Sequence, residues 1–266
     1  MVLQSTGPIS FTQIQTEFGG SNPISLTEYY TNASGGYTTG VSGLPAIGSV
    51  INTAGFLGKA KTVSSYITST SGLVGYYTGE SWNGTQWTDL SGSGNNVVTK
   101  TGTINSATYP GTTHTYIYGN TAAKLTFPST ILPPTYTLFY VAKYNGTSQG
   151  RIFTGPNTVP NWLSGFWMAK TGLAYHNNWL TQSSTNIHSG WFQGTDQNNM
   201  YRSAKTNRTI ASTGSPSYVT TMTINGGWGG TELSDWAVAC VIVYNRTLNS
   251  TEYTNIENEL ATKYVL

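Results

Sequence analysis

The sequence predicts a mainly β chain, an antiparallel two-sheet sandwich preceded by a short helical N-terminal arm and closed by one C-terminal helix. Three observations predict it. From Gly72 onward, short runs of β-branched and aromatic residues alternate with turn signals. Almost no helical periodicity separates these runs, which argues against an α/β fold. Helix-start signals cluster at the two ends of the chain, where a Ser or Asn stands three positions before a Gln or Glu.

The first of these lies in Ser10-Phe11-Thr12-Gln13 and the second in Ser25-Leu26-Thr27-Glu28, predicting two short capped helices. Between them Gly19-Gly20-Ser21-Asn22-Pro23 forces a turn, because Gly tolerates positive φ and Pro cannot continue a helix. The segment is thinly apolar and reads as a docking arm. Phe11, Ile14 and Phe18, then Ile24, Leu26, Tyr29 and Tyr30, are the side chains it would bury against a partner. Residues 31–71 are rich in Gly, Ser and Thr and read as a linker, so the expected division is an arm and linker over 1–71 and a sandwich over 72–266.

Strands are expected at Leu73–Tyr77, Thr115–Tyr118, Lys124–Phe127, Tyr136–Lys143, Arg151–Thr154, Gly165–Ala169, Met200–Ser203, Thr221–Ile224 and Trp236–Tyr244. Asn249-Ser-Thr-Glu252 then caps a helix in which Tyr253, Ile256, Leu260 and Tyr264 share one face, suited to sealing an edge or an end of the sandwich.

Composition bounds the chemistry. Charged residues make up 8% of the 266, against about 25% in ordinary soluble domains. The 12 basic and 10 acidic residues are spread thinly, with no Lys/Arg cluster to neutralise phosphates, so nucleic acid is not an expected partner. No run approaches the roughly 20 apolar residues of a membrane span, and the opening residues lack the basic and apolar regions of a signal peptide. Cys240 is the single cysteine, in an apolar run that reads as a buried strand. Sequons at Asn32, Asn83, Asn145, Asn207, Asn245 and Asn249 are near chance in a chain so rich in Asn, Ser and Thr, and no glycan is assigned to them.

Two resemblances emerge from these residues. The opening, from Gly7 to Tyr30, resembles the N-terminal segments of virion structural proteins of tailed phages of aquatic bacteria and of large algal DNA viruses. In that family the arm often closes on a Ser-Leu-Ser-Phe-Tyr-Gly-Lys-like phrase, and Ser49-Val-Ile-Asn-Thr-Ala-Gly-Phe-Leu-Gly-Lys59 stands in its place. Leu73-Val-Gly-Tyr-Tyr77 with Trp87-Thr-Asp-Leu-Ser-Gly-Ser-Gly-Asn95, and the close from Ala237 through Tyr264, resemble the two ends of concanavalin A-like, laminin G-type jelly-roll domains. The resemblances imply a virion component, made in the host cytoplasm and oligomeric, whose jelly roll binds glycans or proteins, cleaves polysaccharides or builds the particle. Partners would be other virion proteins and a host-surface glycan.

Catalysis is not expected. A glycosidase needs two carboxylates flanking the scissile bond, and the sandwich region offers Glu80, Asp89, Asp196, Glu232 and Asp235. The Glu-x-Asp-x-x-Glu-like strand of the glucanases that share the jelly roll is missing. Glu232-Leu-Ser-Asp235 is the nearest pair, with a spacing that suits a turn. Asp89 reads as a ligand of its own turn's backbone. His114, His176 and His188 show no metal-ligand spacing and read as loop or surface residues, so neither metal nor cofactor is expected. For binding, the pattern to find is Trp beside Asn in loops, since sugar rings stack on aromatic faces while amides bond their rims. Asn161-Trp162, His176-Asn177-Asn178-Trp179 and Asn225-Gly-Gly-Trp228 fit it, making Trp162, Asn177, Asn178, Trp179 and Trp228 the candidate glycan contacts. Trp87, Phe139, Trp167 and Trp236 are assigned to the core.

Overall fold

A computed structural model describes residues 3–20, 22–23, 25–30, 44–46, 49–59, 65–129, 131–156, 161–182, 190–210 and 221–266. The chain divides into two compact units, Met1–Ser64 and Ser65–Leu266.

In the first unit, α1 (Phe11–Phe18) starts on the expected reciprocal cap. Gln13 N donates to Ser10 Oγ at 3.2 Å and Ser10 N to Gln13 Oε1 at 2.8 Å. Ser25-Leu26-Thr27-Glu28 forms only a single 3-10 turn, Leu26–Tyr29. A further 3-10 turn spans Thr53–Phe56. Part of the side-chain set expected to dock on a partner is buried within the unit itself. Ile14, Phe18 and Tyr29 are fully buried with Leu3, Ile9, Leu44 and Phe56 in a core of the unit's own. Phe56 packs on Phe18 and Tyr29 at 5.7 and 5.8 Å, and the Tyr29 hydroxyl donates to Gly19 O at 2.7 Å. The apolar partners that the first thirty residues lack are supplied by the stretch read as linker. Leu26 is half-buried against that core and Tyr30 is half-buried, whereas Phe11 is 47% exposed. Ile24 and much of the expected linker (31–43, 47–48 and 60–64) lie outside the described residues.

The second unit begins seven residues before Gly72. Its short α2 (Tyr66–Ser69) is tied down by Ile67, which is buried and whose carbonyl accepts from the Tyr244 hydroxyl at 2.6 Å. Fifteen strands follow among the described residues: β1 (Leu73–Thr78), β2 (Thr99–Thr101), β3 (Asn105–Thr108), β4 (Thr115–Gly119), β5 (Lys124–Thr126), β6 (Thr137–Gln149), β7 (Phe153–Thr154), β8 (Trp162–Trp167), β9 (Lys170–His176), β10 (Trp179–Thr181), β11 (Phe192–Gln197), β12 (Met200–Ser203), β13 (Thr206–Asn207), β14 (Thr223–Ile224) and β15 (Ser234–Tyr244). They form two antiparallel sheets. Sheet A has the order β13-β12-β11-β6-β15-β4-β3, with β1 also on β15, and sheet B the order β10-β9-β8-β7-β14-β5-β2. The expected mainly β sandwich is thus the observed one.

The inter-sheet core draws Leu138, Tyr140 and Ala142 from β6 and Trp236, Val238, Val241 and Val243 from β15. The two-residue alternation along β15 jumps by one between Val238 and Val241, because the strand carries a bulge between Val238 and Cys240. Its other face, with Cys240, Ile242 and Tyr244, joins Phe139 and Val141 under α3 (Ser250–Tyr264). Ile256, Leu260 and Tyr264 of α3 are fully buried there. The helix therefore covers the outer face of sheet A; it does not seal an edge or an end. It is pinned by Glu257, fully buried, which accepts from Arg202 Nε and Nη2 at 2.8 and 2.9 Å and from the Thr195 hydroxyl at 2.8 Å.

A polar seam crosses the core. The Tyr136 hydroxyl donates to Asp196 Oδ1 at 3.0 Å and accepts from Trp162 Nε1 at 3.1 Å, while His176 Nε2 lies 3.2 Å from Asp196 Oδ2. The Tyr140 hydroxyl meets those of Tyr201 at 2.7 Å and Ser164 at 3.1 Å. Burial, reinforced by Asp196, pushes both Tyr136 and Tyr140 well above the ordinary phenol range, so they stay protonated donors. His176 is therefore a buried structural residue and not a loop histidine. His114 is half-buried, 3.0 Å from Glu80, and His188 lies outside the described residues. Asp89 does cap its own turn, accepting from Ser91 N, the Ser91 hydroxyl and Asn95 N at 2.8 to 3.0 Å, and from Tyr76 N at 2.9 Å.

Candidate functional site

Arg151 enters β7 beside Glu232, and its backbone N–H donates to the Glu232 carbonyl at 2.7 Å. The preceding Gly150 permits that approach: a Cβ there would lie 2.1 Å from the same carbonyl oxygen. Glu232 sits at φ 57°, which turns its side chain back over the strand pair. Arg151 Nε donates to Glu232 Oε2 at 2.5 Å and Nη1 to Asn161 Oδ1 at 2.6 Å. Burial lowers the Arg151 pKa, and attraction to Glu232 opposes the shift. The pair is a fixed, nearly neutral polar centre.

Aromatic rings surround it. Trp167 Nε1 donates to Glu232 Oε1 at 3.0 Å. Trp179 stands 5.3 Å from Trp167 and 5.0 Å from Tyr175, the latter edge to face. On the other side the Arg151 guanidinium lies 5.5 Å from the centre of the Trp228 ring. Trp228 is held by a two-residue turn in which Gly229 and Gly230 both take positive φ, with reciprocal Trp228–Thr231 backbone bonds of 3.0 Å. Trp167, Tyr175, Trp179 and Trp228 are all half-buried and outside the inter-sheet core. Trp167 is held through its indole N–H, Trp228 lies against Arg151, and Tyr175 and Trp179 pack on each other.

The candidates read from sequence divide clearly. Trp179 and Trp228 join this cluster at opposite ends. Asn177 and Asn178 are exposed at the β9–β10 turn, where Asn177 at φ 59° donates its N–H to Asn161 O at 2.8 Å. Trp162 is corrected: its indole is fully buried, stacked on His176 at 5.7 Å and 18°, and has no face to offer a ligand. Trp167 is corrected in the opposite sense, from core to surface. Arg151, Tyr175 and Glu232 were missed as members of the site. The signal available for Tyr175 was strand alternation, in which it falls opposite to the buried Ala174 and His176.

Glu232 and Asp235 do not share a site. Glu232 is engaged by Arg151 and Trp167, whereas Asp235 accepts from Ser148 N at 3.0 Å and faces a separate cleft.

No family model matches the chain, and no curated protein does. Solved structures do match. Domain 4 of an extracellular GH43 arabinanase from Geobacillus stearothermophilus, solved in complex with arabinotriose, aligns with a TM-score of 0.53 at 13% identity, over 70% of this chain and 98% of that one. The binding domain of Paraclostridial Mosquitocidal Protein 1 aligns with a TM-score of 0.51 at 14% identity, over 71% of this chain. This chain spans only 52% of that structure. The shared feature is the fold. These are β-sandwich domains, as is residues 65–266 of this chain.

Proposed function

We propose that the sandwich is a carbohydrate-binding module and that its site is the aromatic surface around Arg151 and Glu232. One observation carries the reading: Trp167, Tyr175, Trp179 and Trp228 present half-buried rings about a fixed Arg–Glu–Asn centre. Pyranose and furanose rings stack their C–H faces on such indoles, and their hydroxyls bond the polar rim. Of the two fold neighbours, one is a domain of an arabinanase solved in complex with arabinotriose and the other is a binding domain. No catalytic step is proposed.

The test is a glycan array followed by calorimetric titration of the full chain with each hit and with arabinotriose, repeated on Trp179→Ala and Trp167→Ala. Binding that disappears in both variants supports the site. Absence of binding to every glycan, or binding untouched by both substitutions, refutes it.

As a second reading we propose that the module is displayed on a virion for host attachment, with the N-terminal unit as its anchor and the chain in a homo-oligomer. What favours it is Phe11, a large ring left 47% exposed at the start of a capped helix while its neighbours Ile14 and Phe18 are buried. Phe11→Asp should then lower incorporation into particles without unfolding the unit. Normal occupancy of the variant would sink this reading.

A further inference from the structure

A second polar cleft lies on sheet A. It has a volume of 270 Å³ and is walled by Asn105, Tyr118, Asn120, Asn145, Gly146 and Asp235. Its placement follows from strand register. Asn105 of β3 pairs with Tyr118 of β4, which pairs with Ala237 of β15, which pairs with Lys143 of β6. Asp235 and Asn145 lie just beyond that row, where β15 and β6 lose register between Ser234 and Trp236, and both line the cleft. The same face carries an aromatic row, with Tyr118 5.8 Å from Tyr116, Tyr116 5.0 Å from Trp191, and Lys143 Nζ 5.1 Å from the centre of the Trp191 ring.

The polar atoms of the cleft have capacity left over. Asp235 Oδ2 takes Ser148 N, and Oδ1 has no partner among the described residues. Asn120 Oδ1 takes Ala122 N at 3.0 Å, which leaves its amide N–H groups. The side chains of Asn105 and Asn145 and the Tyr118 hydroxyl make no hydrogen bond among the described residues. Gly146 sets the shape. A Cβ there would lie 2.5 Å from Asp235 Oδ2, so only glycine lets β6 close on the carboxylate without displacing it.

We infer that this cleft is a second carbohydrate site, selective for a neutral monosaccharide unit. Asp235 Oδ1 accepts from one or two vicinal hydroxyls, the asparagine amides donate to and accept from their neighbours, and the Tyr118 ring forms a wall against the sugar's C–H face. A single carboxylate with amide neighbours is too weakly charged for a calcium cage, and it repels uronic and sialic acids. The inference extends the carbohydrate-binding reading to a second face of the same sandwich and rests on its general premise, but on none of the same residues.

The experiment is saturation-transfer NMR on the full chain with methyl glycosides of arabinose, galactose, glucose and mannose, and with glucuronic acid. It is run on wild type, Asp235→Asn, Asn145→Ala and Trp179→Ala, with unfolding midpoints to verify each fold. The expected result is transfer to a neutral glycoside that persists in Trp179→Ala. Affinity should fall about ten-fold or more in Asp235→Asn, as expected for loss of a charge-assisted hydrogen bond, and should fall in Asn145→Ala. Transfer unchanged in Asp235→Asn and Asn145→Ala but lost in Trp179→Ala overturns the second site and leaves the aromatic surface standing. Transfer that favours glucuronic acid, or no transfer at all, also overturns it.

Discussion

Replacing Arg151 by Met keeps much of the side-chain volume and removes the charge at the centre of the aromatic surface. The loss can be worked from its contacts. Arg151 is 5% exposed and Glu232 27%, and the pair is joined at 2.5 Å. A surface ion pair is worth about 0 to 1 kcal/mol, whereas stripping one partner from a fully buried pair costs about 3 to 5. Glu232 keeps water on part of its carboxylate and the Trp167 N–H on the other, which places the substitution between those limits, at about 2 to 3 kcal/mol. Loss of the cation from the Trp228 ring adds about 0.5 to 1. With a urea slope near 3 kcal/mol/M, reasonable for a unit of this size, the unfolding midpoint should drop by about 1 M. Glycan affinity should fall with it under fully folded conditions, because Trp228 loses the cation against its ring and Glu232, which holds Trp167, loses the partner that fixes it. An unchanged midpoint would show that the pair is not the keystone described here. A lowered midpoint with unchanged affinity would separate the pair from binding.

Other outcomes follow from single contacts. Trp162→Ala should cost about 3 to 5 kcal/mol of stability yet leave the affinity of the residual folded protein unaltered, checked by titrating below its unfolding midpoint. Phe18→Ala, which opens the core of the first unit, should make residues 1–64 sensitive to limited proteolysis at a protease dose that spares the sandwich. Burial pushes the Cys240 thiol up to about 12, so alkylation by iodoacetamide at pH 8 should be undetectable by mass spectrometry until denaturant is added. Arg246, bonded to Glu252 at 2.6 and 2.9 Å, holds that carboxyl below its ordinary 4.5. A carboxyl depressed in the folded state supports it above the ordinary value and ceases to do so as pH falls through the lowered one. The fall in melting temperature below pH 4.5 should therefore be shallower in Glu252→Gln than in wild type.

The strands with apolar alternation were legible in the sequence: β1, β4, β5, β6, β12 and β15 all lie where the β-branched and aromatic runs place them. The end helix and the first cap were legible because reciprocal capping is a local signal. What escaped has local reasons as well. The strand β11, Phe-Gln-Gly-Thr-Asp-Gln, reads as a polar loop, yet all six residues are buried. Its Gln, Thr and Asp side chains find partners on β6, α3 and β9 that sequence spacing cannot reveal. The expected strand Gly165–Ala169 is shifted, because β8 starts at Trp162 and its turn uses Met168 and Ala169 at positive φ, residues that carry no turn signal. Half of the aromatic surface was visible as Trp179 and Trp228. The other half depends on which face of a strand each ring takes, and the bulge between Gly165 and Phe166 shifts that parity just before Trp167.

The seam of hydroxyls and carboxylate inside the sandwich has a consequence for folding. A chain with many short strands and 8% charged residues has few ionic cues to tell one strand alignment from the next. Sliding β11 by a single position would turn Asp196 away from Tyr136 and His176 and strand a carboxylate in hydrocarbon, at a cost of several kcal/mol. A slip that carried β12 along with β11 would likewise take Tyr201 from Tyr140. The seam thus acts as a key cut for one lock: misaligned sheets still find grease, but only the native pairing leaves no buried polar atom of this group without its mate.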